Sequence, residues 1–387
     1  MTDGNLDFFD RNDHKDKEII NDIIKTIKES IKKTNLDLSD LTVLTEAATG
    51  NWIFTPFIAA FAKAQSVICI TKDSKYGTAD QIISNFDNLT EYLGLNNIQV
   101  HKKITSSILQ NVDIVTNSGF IRPIDSKFIQ SLKPTCVISL MWEPWEYRES
   151  DLDLSLCWKN KICVLGINED NEIMNIMKYN GDMISTLIKR NNIELKNKKV
   201  ILAAENKSAF YMLKSIISTG ASLFCISKTM GKELIQNGAT IIGSNLKDSQ
   251  VEPYLKNCDL IIINSAPLNN EIIGGKNGIK PSKLKNLSPN VIILVYFGLI
   301  DFHEVKKAGI HYIPNTPPIN AHMSWTLDIL GPTPVIELNT IGLKAVEKLA
   351  KSRKSGLDYE TSLRKGLEGP YSADFSQKQK KFYNVEF

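Results

Sequence analysis

Through most of this chain, short apolar runs alternate with longer segments of helical spacing. Runs at residues 41–44, 67–71, 98–101, 113–116, 137–141 and 162–165 have the length and the Val/Ile content of buried strands. Between them, residues 56–64, 79–93 and 126–132 carry the spacing of helices. A segment at 168–191 reads as one long connecting helix, and a second series follows it, with strands predicted at 200–203, 221–226, 240–242, 260–264, 291–295 and 311–313. Strand–helix alternation with no hairpin signal predicts an α/β protein whose parallel sheets are covered on both faces. The two series predict two domains, 1–170 and 171–335, with residues 336–387 packing back on the first through a helix at 335–352. An opening helix at 13–33 sets Ile19, Ile20, Ile23, Ile24, Ile27 and Ile31 along one stripe for packing on the domain that follows. The polar tail from Ser355 is expected to be partly disordered or wrapped on a partner.

Residues 198–228 read as strand, helix and strand, the opening of a dinucleotide-binding fold, but the glycines are missing. That turn ordinarily runs G-x-G-x-x-G, because bare backbone permits both the tight bend and the close approach of a pyrophosphate. Here it runs Ala204-Glu205-Asn206-Lys207-Ser208-Ala209, which places side chains where phosphates would lie and adds the charge of Glu205 beside them. The acid that would hold a ribose diol is replaced by Ser227-Lys228, a pair better suited to a 2′-phosphate. A cofactor pocket here would draw on Ala204, Glu205, Asn206, Ser227 and Lys228, with Ser265, Ala266 and Pro267 after a later strand. A dinucleotide, NAD or NADP, is therefore expected to bind weakly if it binds at all, with NADP the better of the two.

Composition narrows the class further. With 42% hydrophobic and 23% charged residues over 387, the chain falls among soluble globular proteins and can fill two cores. A net charge of +3 over that length gives no reason to expect nucleic acid as a partner. No apolar stretch approaches the roughly 20 residues of a membrane span. Six cysteines without a C-x-x-C pair, and no leader-like segment, set the expectation of a reduced, cytoplasmic protein. Five histidines form no ligand-spaced cluster, so no metal is expected.

Candidate chemistry lies at the carboxyl ends of the first-domain strands, in residues 45–52, 72–77, 117–123 and 142–148, where ligands of open α/β sheets bind. The last of these, Trp142-Glu143-Pro144-Trp145-Glu146-Tyr147-Arg148, is the most unusual. Aromatic walls with converging charges suit a small polar ligand. Glu143 or Glu146 would act as general acid or base, and Arg148 or Arg122 as an anion clamp. An equally weighted alternative is a capped strand end whose Trp rings seal the core and whose Glu146 and Arg148 pair locally. His322 could reach a cleft between the domains, where the active site is expected, or serve in packing.

Two stretches resemble the D-2-hydroxyacid dehydrogenase superfamily, which is related in fold to alanine dehydrogenase and adenosylhomocysteine hydrolase. In residues 130–190, Asp151-Leu152-Asp153-Leu154 sits like that family's N-I-D-L step and Ile162-Cys163-Val164 like its G-I-x-V strand. Residues 258–318 are similar to the segment that carries P-L-T and then L-V-N-x-A-R-G-x-x-V-D. The resemblance implies a flavodoxin-like N-terminal domain followed by a Rossmann-like domain. It also implies an NAD(P)-dependent oxidoreductase acting on a small polar acid, amino acid or sugar-like substrate, assembled as a homodimer. The family's machinery is altered, however: Phe297 stands where the substrate-binding arginine precedes the glycine, and Pro318 where the catalytic histidine follows Thr-Pro. A non-redox biosynthetic enzyme or a binding subunit on the same fold is the competing expectation.

Overall fold

Val- and Ile-rich runs pack as parallel strands because side chains on both faces of such a strand can be buried at once. In the structure, a computed structural model that describes residues 9–10, 12–265, 271–318 and 323–375, they form two sheets. The chain divides into two units, Met1–Ile176 with Gly331–Phe387, and Met177–Leu330.

The first unit holds β1 (Thr42–Glu46), β2 (Ser66–Ile70), β3 (Ile98–His101), β4 (Ile114–Thr116), β5 (Val137–Ser139) and β6 (Cys163–Ile167). The second holds β7 (Lys199–Ala204), β8 (Ser222–Ile226), β9 (Ile241–Gly243), β10 (Leu260–Asn264), β11 (Ile292–Phe297) and β12 (His311–Ile313). A short β13 (Ser372–Ala373) pairs antiparallel with β6 and closes that edge of the first sheet. The α/β architecture with parallel sheets is as expected, but the flavodoxin-like strand order of the first unit is not. The sheet runs β3-β2-β1-β4-β5-β6-β13, because β3 pairs outside β2 before the chain crosses back to the far side of β1. The second sheet, β9-β8-β7-β10-β11-β12, has the same doubly wound order. Each unit thus has its own reversal of strand order, at β1/β4 and at β7/β10, and the connections parting there open a crevice at the carboxyl ends of the strands.

The two longest helices packed in the core on one face of the first sheet are His14–Thr34 and Pro332–Lys354. The helix His14–Thr34 starts on Asp13, whose side chain accepts from the Lys15 and Asp16 N–H groups, and it buries Ile20, Ile23, Ile24 and Ile27. The helix Pro332–Lys354 buries Ile336, Leu343, Val346 and Leu349 in the same core. Its bare Gly342 permits a close approach to the sheet: a Cβ there would lie 2.7 Å from the Met141 side chain, and the Gly342 carbonyl accepts from Ser139 Oγ at 2.7 Å. Charge pairs fix its far end, Lys351 to Asp37 at 2.8 Å and Lys354 to the buried Asp113 at 3.1 Å. The Lys351 hydrogen bond holds the Asp37 carboxyl below the usual carboxylate range.

One expected element differs. The helix expected over 168–191 is confined to Tyr179–Arg190. Buried Asn171 explains the difference: its side chain accepts from the Met174 N–H at 2.7 Å and donates to the Asn168 carbonyl at 2.8 Å, a local ring that competes with helix. In the tail after Ser355, the described residues run to Phe375 and hold a helix at Tyr359–Gly366 and then β13; residues 376–387 lie outside the described ones. Phe375 is buried edge-on to both Tyr147 and Trp158, at 6.0 and 5.6 Å, an apolar anchor that outweighs the polar composition around it.

All six cysteines are buried free thiols. Among the described residues no helix is long and apolar enough to cross a membrane, and no group of three or more His, Cys, Asp or Glu is placed to hold a metal ion.

Candidate active site

At the strand reversal of the first unit, the ends of β1 and β4 are tied by hydroxyls. Thr116 Oγ1 donates to Thr45 Oγ1 at 2.8 Å and lies 3.0 Å from Ser118 Oγ. The next residue along β1 is Glu46, whose carboxylate accepts the Phe120 N–H at 3.0 Å. Gly119 makes this possible, because a Cβ there would stand 2.9 Å from Glu46 Oε2. Burial pushes the Glu46 carboxyl above its usual range, against the opposing pull of the Phe120 N–H and the Arg122 charge.

Glu46 lines a cavity of about 170 Å³ together with Trp52, Arg122, Met141, Trp142 and Asn339. Each wall has a local cause. Met141, two residues past β5, stands in the left-handed region at φ 65°, which redirects the chain so that Trp142 lines the cavity. Trp52 meets the Trp142 ring edge-on at 6.4 Å, and the Arg122 guanidinium lies over the same ring at 5.8 Å. Asn339 lies less than one turn before Gly342, so the close approach at that glycine carries it to the cavity. It is 4% exposed. Neither Trp142 Nε1 nor Asn339 Nδ2 has a hydrogen-bond partner.

The residues expected to act are placed differently. Arg122 lines the cavity, but its guanidinium is largely committed: Nε donates to Asn117 Oδ1 at 3.0 Å, Nη2 to the Asn117 carbonyl at 2.6 Å, and Nη1 pairs with Asp151 at 3.3 Å. Rather than presenting a bidentate fork to an anion, it holds the loop after β4 in shape. Arg148 shares Asp151 at 3.4 Å, and burial lowers both guanidinium pKa values, with Asp151 opposing. Glu143 accepts from Trp145 Nε1 at 2.6 Å. Glu146 is pushed up to about 7 by burial and then by the Glu143 charge. Glu169, just beyond β6, is raised well above the usual range by burial and by Glu146 and Glu143. The three carboxyls thus form an electrostatically coupled group, and Glu143, Glu146 and Arg148 are not part of the switch-point cavity lining. His322 lies outside the described residues. Glu46 and Trp142 stand inside the strand-end runs singled out from the sequence, but Asn339 has no local signal beyond an amide inside an apolar helix.

In the second unit, the turn after β7 is filled by its own side chains. Glu205 turns its carboxylate across to the loop after β8 rather than out over the turn. There it accepts the Lys228 N–H at 2.7 Å, the Thr229 N–H at 3.2 Å and Thr229 Oγ1 at 2.8 Å, with Ser227 Oγ at 3.4 Å. Asn206 accepts from the Ser208 N–H at 3.1 Å and from Ser208 Oγ, and donates to Asn264 Oδ1 at 3.1 Å, lacing β7 to β10. The cavity beside Glu205, Ile226 and Lys228 is about 20 Å³, room for about one water and far too little for a nucleotide. Ala204 and Ser265 are buried at the strand ends, and a Cβ on Gly298 would collide with Ser265 Oγ, so glycine is required there. Ala266 and Pro267 lie outside the described residues. As they stand, these residues do not fit a dinucleotide in its usual pose.

Neither a protein-family profile nor a curated protein sequence matches the chain. Solved structures do. A dipicolinate synthase chain from Bacillus halodurans superposes with a TM-score of 0.51 at 12% identity, over 80% of this chain and 99% of that one. A transhydrogenase from Sinorhizobium meliloti gives 0.44 at 10% identity over 84% and 97% of the two chains. The D-lactate dehydrogenase of Salmonella gives 0.40 at 12% identity over 62% and 74%. The likeness establishes the fold, a two-unit α/β architecture of Rossmann type. The superfamily resemblance read from residues 130–190 and 258–318 is matched at that level.

Proposed function

We propose that this chain is a divergent enzyme of the NAD(P)-dependent oxidoreductase fold, acting on a small polar acid, amino acid or sugar-like substrate. The observation that carries the reading is the switch-point cavity of the first unit, where a buried carboxyl, a guanidinium and two indole rings surround one small space. Glu46 would serve there as proton donor or acceptor, because burial raises its pKa toward the range in which a carboxyl can do either. Arg122 would keep the loop after β4 in register and supply positive potential through what remains of its donor capacity.

A second reading, a non-redox enzyme or binding subunit lacking a dinucleotide, is favoured by one observation, the self-filled turn at Glu205 and Asn206. Calorimetry on the full chain separates the two. NAD should show no binding at micromolar concentration and NADP weak binding through Lys228, together with a substrate-dependent change in nicotinamide absorbance. Silence from both dinucleotides would leave the non-redox reading. Micromolar NAD binding, with the pyrophosphate on residues 205–208, would overturn the expectation that the turn is closed. We also propose a homodimer, so light scattering should give a mass near twice the 43.4 kDa of one chain. A single-chain mass at micromolar concentration would refute it.

A further inference from the structure

On the first unit, the loop before the short helix Ser126–Ser131 and the loop before Leu154–Lys159 run side by side. The Ile124 N–H donates to the Asp151 carbonyl at 2.8 Å, and the Ile124 carbonyl accepts the Asp153 N–H at 3.1 Å. A groove of about 470 Å³ follows their junction and shares no lining residue with the switch-point cavity. Buried Ile124, Leu152 and Tyr147 line it, together with Asp125, Glu149 and Asp153. Asp125 and Asp153 each use one carboxylate oxygen to cap a helix, accepting the Phe128 and Leu156 N–H groups at 2.9 Å, and Glu149 is exposed. Among the described residues that line the groove none is a cation, and the two arginines nearest in sequence, Arg122 and Arg148, pair with Asp151 instead. Three carboxylates on one open groove without a counter-cation repel one another, so the groove favours a cationic occupant.

The chain itself brings cations to this place. Phe375, the last described residue, is 2% exposed and packs at 6.0 Å on the Tyr147 ring, which lines the groove. The sequence after it, outside the described residues, runs Ser376-Gln377-Lys378-Gln379-Lys380-Lys381, with three lysines in four residues. Lys381 is six residues from Phe375, a span of at most about 20 Å, and Lys378 only three, so all three ammonium groups can reach the groove from that anchor. We propose that residues 376–381 dock in the groove of their own chain, with Lys378, Lys380 and Lys381 set against Asp125, Glu149 and Asp153. Exposed pairs of this kind are individually weak, and the tether compensates by holding the lysines at a local concentration on the order of millimolar. The volume, about fifteen waters at roughly 30 Å³ each, admits several extended lysine side chains. Docking here ties the segment that carries β13 along the edge of the first sheet to the loops after β4 and β5.

The test is limited chymotrypsin digestion of the full chain, read by intact mass, because Phe382 and Tyr383 follow the lysines directly. Two charge-neutral variants are compared with the native chain. One combines Asp125→Asn, Glu149→Gln and Asp153→Asn, which keeps both helix caps because Asn caps as well as Asp. The other combines Lys378→Gln, Lys380→Gln and Lys381→Gln. Loss of the tail should be about five- to tenfold faster in each than in the native chain, the scale of three weak ion pairs removed together. Joining the two sets in one chain should make it no faster, because both remove the same contacts. Glu149→Gln alone touches neither cap and should give about a twofold increase; it decides by itself if the triple groove variant unfolds. Equal rates in the native chain and the neutralised variants would overturn the docking. Rates that multiply in the combined variant would overturn the pairing of these lysines with these carboxylates. Protection that grows with protein concentration would place the tail on a second copy and overturn docking within one chain.

Discussion

Glu146→Gln should stabilise the first unit above neutral pH and do so by much less at pH 5. Glu146 closes the short turn Pro144–Glu146 after β5 and is only 9% exposed. Burial first, and the Glu143 charge second, lift its carboxyl from 4.5 to about 7, while Arg148 pulls the other way. The sign follows from proton binding. Below pH 4.5 both native and unfolded chains hold the proton, and the native preference for the neutral acid is fully present. Between 4.5 and about 7 the unfolded chain releases the proton and the native chain keeps it, so stability declines as pH rises, and the loss is complete above the folded value. The span corresponds to on the order of 3 kcal/mol. Glutamine keeps the shape and cannot ionise, so it escapes that loss. In a unit of this size the difference amounts to roughly 5–10 °C in melting temperature at pH 8. Scanning calorimetry of both proteins at pH 5 and pH 8 reads it directly. An equal gap at the two pH values would mean that Glu146 is ionised in the native state throughout. The same environment gives the group chemical meaning, because a carboxyl titrating near neutrality can give or take a proton under working conditions. Burial, and then the charges of Glu146 and Glu143, raise the Glu169 carboxyl as well.

Most of the elements were legible in the sequence, because burial on both faces of a parallel strand leaves a short apolar run whose length and Val/Ile content separate it from a buried helix. Val137–Ser139 and Leu260–Asn264 fall inside the runs assigned to them. Strand order was not legible in the same way. Nothing local to Ile98–His101 says that it pairs outside β2, a choice made by the packing of the crossover helix Ala79–Leu93. The shortened helix after residue 168 turned on one asparagine whose side chain captures backbone groups, which helical periodicity does not register. The packing of the tail up to Phe375 turned on that residue, a single apolar anchor in a polar stretch. For the site, the strand-end rule located Glu46, Arg122 and Trp142, since it depends only on where strands stop. It could not supply Asn339, which arrives from a helix nearly 200 residues after Trp142 because Gly342 lets that helix settle against β5. Nor could it tell a clamp from a brace: Arg122 is a cation at a strand end in either role, and only its bonds to Asn117 and Asp151 decide.

The second large effect should come from Glu205→Ala. The Glu205 carboxylate is the single acceptor for the backbone N–H groups of both Lys228 and Thr229, and it takes the Thr229 hydroxyl as well. Alanine removes the shared acceptor of a loop whose Lys228 and Thr229 are exposed, so water replaces part of what is lost and the cost is about 1–3 kcal/mol. For a unit of some 150 residues this predicts a fall of roughly 3–8 °C in the melting temperature of the second unit. The same substitution exposes what the carboxylate was occupying. Two N–H groups and the Lys228 ammonium, freed of a competing negative charge, make a better seat for a phosphate than the native loop does. NADP at millimolar concentration should therefore recover more of the lost melting temperature in Glu205→Ala than it adds to the native protein. NAD, which carries no 2′-phosphate, should recover less. If the variant melts within a degree of the native protein, the carboxylate is not holding the loop after β8. If NAD and NADP act alike on it, the loop after β8 is not where the extra phosphate would bind, and Lys228 loses its assigned role.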